Sequence, residues 1–254
     1  MTDEPVLFSV DDGIATVRLN RPDVANALDL DTACVLRDIA AELSVRNDVD
    51  LVLLTSGGKL FCAGGDVAAM VAAPDRGAFV HELASTVHQA LITLRALPIP
   101  IVAVAQGTAA GAGLGLLLAA DIVIASDRAR FVSAYGDVGL SPDCGVSALL
   151  ARTVGVRRAA QFVLTGRALD AHEALAWGLV TDVVAHDELD EAASTLVAAL
   201  LERPSAALGA SALLLRRSAE HSYAEQLRDE ADTIARMAVH PDAVARLTAF
   251  VSSG

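Results

Sequence analysis

The sequence has few of the features that would let it bind nucleic acid or a charged membrane surface. Its 254 residues include 19 Lys or Arg against 32 Asp or Glu, which gives a formal net charge of -13. Lys59 is the only lysine. An acidic chain without a basic run repels phosphate backbones and anionic lipids. We therefore expect neither nucleic acid nor membrane as a partner, and any anionic ligand must be held by local groups.

Cysteine is also scarce, and its arrangement excludes two kinds of stabilising link. The three cysteines, Cys34, Cys62 and Cys144, are an odd number without a paired C-x-x-C spacing. Neither a disulfide framework nor a zinc site is built from such a set. We expect free thiols and no bound metal.

Targeting and membrane-spanning signals are missing from the sequence. The first five residues are acidic and lack the basic and apolar regions of a signal peptide. The longest apolar candidate, residues 99–120, is interrupted by glycines and by Gln106, so it does not form a clean span of about 18 apolar residues. With 54% hydrophobic residues, the chain can bury an ample core. These features predict a globular, cytoplasmic protein.

Apolar periodicity predicts strands and helices in turn along the first half of the chain. The elements are a hairpin with strands at 6–10 and 14–19, a helix beginning at Asp29, a buried strand at 51–55, a helix at 77–97 and a strand at 121–125. This alternation favours an α/β architecture.

From residue 145 onward the chain is predicted to be nearly all helical. The helices are 146–154, 157–164, 171–177, 189–201, 205–218, 223–239 and 242–251, with 179–184 as the one late strand. We divide the chain into a core, residues 1–191, and a helical lobe, residues 192–254, whose apolar faces suggest contact between subunits.

Residues 98–120 combine a buried strand, a glycine-rich turn and the start of a helix. Amides at a helix start have no internal partner and carry the positive end of the helix dipole, so those near Ala112 could face a negatively charged oxygen. A P-loop would need Gly-Lys-Ser/Thr, which is absent. Gly111, Gly113 and Gly115 are spaced G-x-G-x-G rather than as a dinucleotide fingerprint. The alternative that the glycines only allow close packing stays open at this point.

Two glycine loops, residues 61–66 and 106–113, resemble the paired signature of the crotonase family of enoyl-CoA hydratases and isomerases. The likeness extends from residues 19–22 and 26–28 to 164–167 and 177–180. It implies a spiral of ββα turns with a helical C-terminal trimerisation lobe, assembled as a homotrimer or a dimer of trimers. It also implies an acyl-CoA substrate, with coenzyme A present only as part of the substrate and no separate cofactor.

The resemblance assigns residues to this site. The backbone N–H groups of Gly65 and Ala112 would bind the thioester carbonyl, where they would stabilise the negative charge of an enolate. Residues implied in substrate or CoA binding are Arg21, Ala25, Ala63, Gly65, Asp66, Val67, Ala68, His88, Ala112 and Tyr135. Arg21 is the first candidate for the nucleotide phosphates. For Asp66 we favour the simpler role of capping a short helix.

The catalytic acids depart from the hydratase pattern. Gly115 and Tyr135 stand where hydratases of this family carry two glutamates, and neither is a carboxylate base. Residues 139–145 resemble instead the Gly-Leu-x-Pro-Asp-x-Gly segment of members that shift double bonds, which implies Asp143 as the catalytic base. Asp143 is also expected to cap the helix at 146–154.

The resemblance therefore implies isomerisation of a 3-enoyl-CoA to the 2-enoyl form. Three alternatives stay open: a hydratase with an unusual water arrangement, a non-catalytic acyl-CoA-binding protein, and a hydrolase like the 4-chlorobenzoyl-CoA dehalogenases. The last would use Asp143 as nucleophile and His88 as its histidine, with Tyr135 in place of a tryptophan.

Overall fold

Strands and helices alternate through most of the chain, and helices alone form its C-terminal part. The computed structural model describes residues 4–252. The strands are β1 (Val6–Asp11), β2 (Ile14–Leu19), β3 (Leu51–Ser56), β4 (Ile101–Ala105), β5 (Ala109–Ala110), β6 (Ile122–Ser126), β7 (Arg130–Val132), β8 (Ala168–Asp170) and β9 (Asp182–Val184). The helices are α1 (Leu30–Leu43), α2 (Val67–Ala72), α3 (Arg76–Ala96), α4 (Ala112–Leu118), α5 (Val146–Val154), α6 (Val156–Thr165), α7 (Ala171–Trp177), α8 (Leu189–Leu201), α9 (Ser205–Arg217), α10 (Tyr223–Ala238) and α11 (Pro241–Ser252).

A six-stranded sheet in the order β1-β2-β3-β4-β6-β9 carries the core. β1 and β2 form the predicted antiparallel hairpin, and every later pairing in this sheet is parallel. Asp12 and Gly13 at the turn both have positive φ, 49° and 81°, as a tight hairpin turn requires. All five residues of β4 are buried, because helices cover both faces of a parallel sheet. The predicted α/β class is confirmed.

After residue 145, the described residues contain one more strand than the sequence analysis predicts. β8 pairs antiparallel with β7 in a small sheet of order β5-β7-β8, so the expectation of one late strand is wrong. Three residues are too few for a period-two signal to stand out. The predicted strand at 179–184 is observed as the shorter β9, which pairs with β6.

The predicted boundary after residue 191 falls within α8. This helix packs on the face of the large sheet, where Leu189 and Ala193 contact the buried Val104 and Ile124. α10 and α11, in contrast, leave large apolar side chains exposed, among them Ile234, Leu247 and Val251. The division into two units remains a prediction.

Among the described residues, membrane-spanning length and apolarity are not found together in any single helix. One helix pair, 186–201 and 205–217, reaches them jointly, but it bends by 107° at the break between the two helices.

Arg216 attaches α9 to the core. Its side chain is buried, and its guanidinium pairs with the Asp121 carboxylate through Nε at 2.7 Å and through Nη2. The same group donates to the carbonyl oxygens of Leu97 and Ile99 at 2.9 and 2.8 Å. Asp121 also accepts from the Ile101 N–H, at the start of β4. One side chain from the C-terminal helices thus satisfies the backbone where α3 leads into β4.

Replacing Arg216 by methionine should lower the free energy of unfolding by about 3–5 kcal/mol, because the substitution leaves a largely buried carboxylate and several carbonyls without their partner. Urea denaturation at one fixed protein concentration measures the effect. Arg37→Met is the control, since Arg37 and its partner Asp38 are both exposed on α1; its cost should stay within about 0.5 kcal/mol. Equal losses in both variants would contradict the anchoring role.

Candidate active site

A cavity of about 440 Å³ opens between the two glycine loops and the first half of α3. Its wall is completed by residues 134–144, which follow β7. The lining is mostly apolar, and the ionisable side chains among the described residues that line it are His81, Tyr135, Asp143 and Cys144. Such a cavity, apolar with a few converging polar groups, is typical of a small-molecule site.

Two isolated parallel bridges hold the first glycine loop: Leu28 pairs with Gly65, and Cys62 pairs with Ala109. The Leu28 N–H donates to the Gly64 carbonyl at 2.7 Å, and the Asp66 N–H donates to the Leu28 carbonyl at 2.9 Å. In a parallel bridge the partner uses the residues on either side, so the N–H of Gly65 itself stays free. Within the described part of the chain this N–H has no acceptor. Asp66 then caps α2 by accepting from the Ala69 N–H at 3.1 Å, which confirms its predicted capping role.

The second loop brings the start of α4 against the first loop. Ala112 is the first residue of α4, so its N–H has no partner within the helix, and no other described residue accepts it. A Cβ on Gly113 would lie 2.4 Å from the Cys62 carbonyl oxygen. Gly64 has φ +98°, and a Cβ there would lie 3.0 Å from the Ala110 carbonyl oxygen. Because side chains are absent at these points, the two backbones approach each other directly.

The two unpaired N–H groups, on Gly65 and Ala112, belong to residues that line the same cavity. Fixed backbone donors of this kind can bind an oxygen that becomes negatively charged during a reaction, and each such donor is worth about 3 kcal/mol in acyl-transfer enzymes.

Asp143 is the only carboxylate among the described residues that line the cavity. The Tyr135 hydroxyl donates to Asp143 Oδ1 at 2.7 Å. Burial, reinforced by the negative charge of Asp143, raises the pKa of the Tyr135 hydroxyl, so the phenol stays protonated and donates. Asp143 does not cap α5, as the sequence analysis expects. The capping position is Gly145, in a left-handed conformation, and the carboxylate binds Tyr135 instead.

His88 contacts the residue that follows Asp143. Its Nε2 accepts the backbone N–H of Cys144 at 2.9 Å, and it lines a neighbouring cavity instead of this one.

Ligand atoms of His88, Asp143 and Cys144 lie within 4.8 Å of one another. The donor set does not fit a metal, since Nε2 already accepts an N–H. In addition, burial and the charge of Asp143 raise the pKa of the Cys144 thiol, which disfavours the thiolate.

The other predicted binding residues divide between the cavity and the structure around it. Ala63, Val67 and Tyr135 line the cavity; Arg21, Ala25, Asp66, Ala68 and His88 do not. The Ala25 carbonyl accepts the Ala63 N–H at 3.0 Å.

Arg21 is engaged within the protein. Its guanidinium pairs with Asp29 at 2.8 Å and lies 3.4 Å from Asp66, and it also donates to the Ala27 carbonyl. The guanidinium therefore joins the caps of α1 and α2. Contact between Arg21 and a CoA phosphate remains a prediction.

Gly115 has no space for the glutamate that the resemblance assigns to this position in hydratases. A Cβ there would lie 2.6 Å from both the Cβ and the carbonyl oxygen of Cys144. Even alanine would displace the segment that carries Asp143. The absence of a second carboxylate is thus built into the packing between α4 and the start of α5.

Sequence analysis missed several residues of the cavity wall. Val80 is only partly buried and lines the cavity with His81. Met70 and Leu140 line it as well. Residues 77, 80, 81 and 84 are spaced so that they lie on one face of a helix. This spacing was the sequence signal that could have identified them as one surface. Only the tertiary structure shows which residues of that face are covered by other elements and which line the cavity.

A family model described as enoyl-CoA hydratase/isomerase matches residues 9–253. The chain is 36% identical to a trans-2-decenoyl-[acyl-carrier-protein] isomerase from Streptococcus mutans over 199 residues, which are 77% of this chain and 75% of the relative. It is 34% identical to a 1,2-epoxyphenylacetyl-CoA isomerase from Escherichia coli over 211 residues, 81% and 79% of the two chains. Other relatives are named as enoyl-CoA hydratases.

Solved structures agree with this likeness. One from Thermobifida fusca, described as an enoyl-CoA hydratase in complex with acetoacetyl-CoA, is 32% identical and superposes with a TM-score of 0.84. The superposition covers 92% of this chain and 95% of that one. Since the family model spans nearly the whole chain and the fold superposes across it, the α/β architecture with paired glycine loops is the crotonase fold, and the chain belongs to the enoyl-CoA hydratase/isomerase family.

Proposed function

We propose that this protein isomerises a 3-enoyl-CoA to the 2-enoyl form, with Asp143 as the single proton carrier. The observation that supports the proposal is the combination of one carboxylate with two unpaired backbone N–H groups in a single apolar cavity. A 1,3-proton shift needs one base that takes a proton from one carbon and returns it to another. Relatives named as isomerases are consistent with this chemistry.

The reaction starts when Asp143 removes a proton from C2 of the 3-enoyl thioester. The electron pair moves into the conjugated system and places negative charge on the thioester oxygen, where the N–H groups of Gly65 and Ala112 stabilise the dienolate. Protonated Asp143 then delivers the proton to C4. The double bond now lies between C2 and C3, and the carboxylate is restored.

The alternatives fit the residues less well. Hydration uses two groups to position water and move its proton, but Gly115 cannot accept a side chain and Tyr135 is a neutral phenol. In dehalogenation of an aryl-CoA, Asp143 would attack the ring and form an aryl ester. A base would then have to activate water to hydrolyse that ester. His88 is the candidate, but its Nε2 accepts the Cys144 N–H. A non-catalytic binder would leave the Asp143 carboxylate without a function.

The proposed substrate is an acyl-CoA with an apolar acyl chain. Coenzyme A enters as part of the substrate, without a separate cofactor. The apolar side chains Leu83, Val87 and Leu140 line the cavity where the acyl group would lie. Its proposed setting is the cytoplasm.

Asp143→Asn should reduce isomerisation of a 3-enoyl-CoA by at least about a thousandfold, because the amide keeps the size of the side chain but cannot take up the proton. The assay follows the absorbance of the conjugated 2-enoyl thioester as it forms. Binding of acetoacetyl-CoA, measured by calorimetry, should be retained in the variant.

Asp137→Asn is the matched control, since Asp137 is exposed and belongs to the short 3-10 turn that follows Tyr135; its rate should equal that of the wild type. The proposal fails if the wild type hydrates a 2-enoyl-CoA rapidly and Asp143→Asn keeps that rate. It also fails if acyl-CoA binds but the wild type turns over neither substrate.

Tyr135 is a positioning residue in this proposal, since it acts through Asp143. Tyr135→Phe removes the hydroxyl that donates to Oδ1, so kcat should fall about tenfold with little change in KM. An unchanged kcat, or a KM that rises by the same factor as kcat falls, would contradict this positioning role.

We also propose that the chain assembles as a homotrimer or a dimer of trimers through its C-terminal helices. Sedimentation at micromolar concentration should show no stable 26.2 kDa monomer. Ile234→Asp should shift the protein toward smaller species, because Ile234 is 70% exposed on α10 and would be buried in the assembly. Val45→Asp, at a site 76% exposed outside these helices, is the control and should leave the assembly intact. A monomeric wild type would refute the proposal.

A further inference from the structure

A second cavity, of about 550 Å³, lies along the other half of α3. The first cavity contacts α3 at residues 77–87, and the second contacts it at residues 88–96. α5 and α9 close the second cavity on its remaining sides. His88 and Cys144 separate the two spaces, because the Cys144 N–H donates to His88 Nε2 at this point. Cys144 lines both cavities.

The charge on this second wall is opposite to that of the chain. Four arginines and one glutamate, Glu220, line the cavity, although the protein as a whole carries a net charge of -13. Arg216 is neutralised by Asp121, and Arg217 has Asp229 at 3.7 Å. Arg95 and Arg152 have no carboxylate within 4.0 Å in the described part of the chain.

Of these two arginines, Arg95 is the stronger evidence for an anionic ligand, because it is partly buried. Burial, followed by the positive charge of Arg216, lowers the pKa of the Arg95 guanidinium. The negative charges of Asp121 and Glu220 oppose this shift. Neither carboxylate pairs directly with Arg95, so an anion bound in the cavity can neutralise this partly buried guanidinium. The guanidinium also offers several N–H donors in a planar fork that matches a carboxylate.

The rest of the wall is apolar. Leu91 and Ile92 on α3, Leu149 on α5 and Leu213 on α9 present aliphatic side chains to the cavity. A ligand that satisfies both parts of the wall must have an anionic head and an aliphatic body. Nucleotide phosphates lack the apolar body, and a neutral lipid lacks the charge.

We propose that this second cavity is a separate binding site for an alkyl carboxylate, with the carboxylate held by Arg95 and Arg152. The aliphatic body lies against the leucines and Ile92, and the deep end meets His88 and Cys144. A ligand there contacts the segment that carries Asp143, from the side opposite the first cavity. The site does not depend on which reaction the first cavity performs.

Decanoate is the probe, and its binding to the full-length protein is measured by isothermal titration calorimetry. The wild type should bind decanoate, and the uncharged decanol of the same length should bind at least about tenfold more weakly, as expected for loss of charge-assisted hydrogen bonds. The double variant Arg95→Met/Arg152→Met should weaken decanoate binding by a similar factor or more. Arg37→Met, an exposed arginine on α1, is the control and should bind like the wild type.

Two cavity-filling variants show which space is occupied. Ala148→Trp fills the second cavity and should abolish binding of decanoate, whereas Ala84→Trp fills the first cavity and should leave it unchanged. Circular dichroism checks that each variant is folded; if Ala148→Trp is not, the arginine variants decide. The proposal is overturned if the wild type does not bind decanoate, if decanol binds equally well, or if Ala84→Trp alone removes binding. Because calorimetry detects binding without turnover, these outcomes are distinct from failure of the isomerase proposal.

Discussion

The direct approach of two backbone segments is the constraint on which this site depends. The loop after β3 meets the start of α4 where Gly64 and Gly113 carry no side chains. A Cβ on either glycine would lie 3.0 Å or less from a carbonyl oxygen of the facing segment. The same arrangement leaves the N–H groups of Gly65 and Ala112 unpaired beside one cavity. Backbone donors held in this way need no reorganisation when negative charge develops next to them. Larger residues in either loop would separate these two N–H groups.

The position of Asp143 depends on the contact between α4 and the segment that precedes α5. Tyr135 holds one carboxylate oxygen, and His88 holds the next residue through its backbone N–H. α4 lies so close to Cys144 that position 115 must be glycine. The close contact that places the single carboxylate therefore also removes the space for a second one. In the proposed reaction, packing limits the number of carboxylates in the cavity to one.

Positive charge is scarce in this protein, and two of its arginines connect elements. Arg21 joins the caps of α1 and α2, and Arg216 ties α9 to the turn before β4. Both act between elements distant in sequence, where one guanidinium can satisfy several oxygens at once. Among the described residues, Arg95 and Arg152 have no such partner, and they line the second cavity together with Arg216 and Arg217.

The sequence by itself determined the local elements. The hairpin at Asp12-Gly13, the start of α1 at Asp29 and the bounds of α5, α7 and α8 follow from turn chemistry, capping and apolar period, all of which act over a few residues. The paired loops and the segment 139–145 were sufficient to indicate the family. Only the tertiary structure decided which groups meet: Tyr135 with Asp143, His88 with Cys144, and Arg21 with two aspartates. These contacts join residues up to 56 positions apart, so no local periodicity encodes them. For the same reason β8, with three residues paired to a distant strand, could be recognised only once its partner was in place.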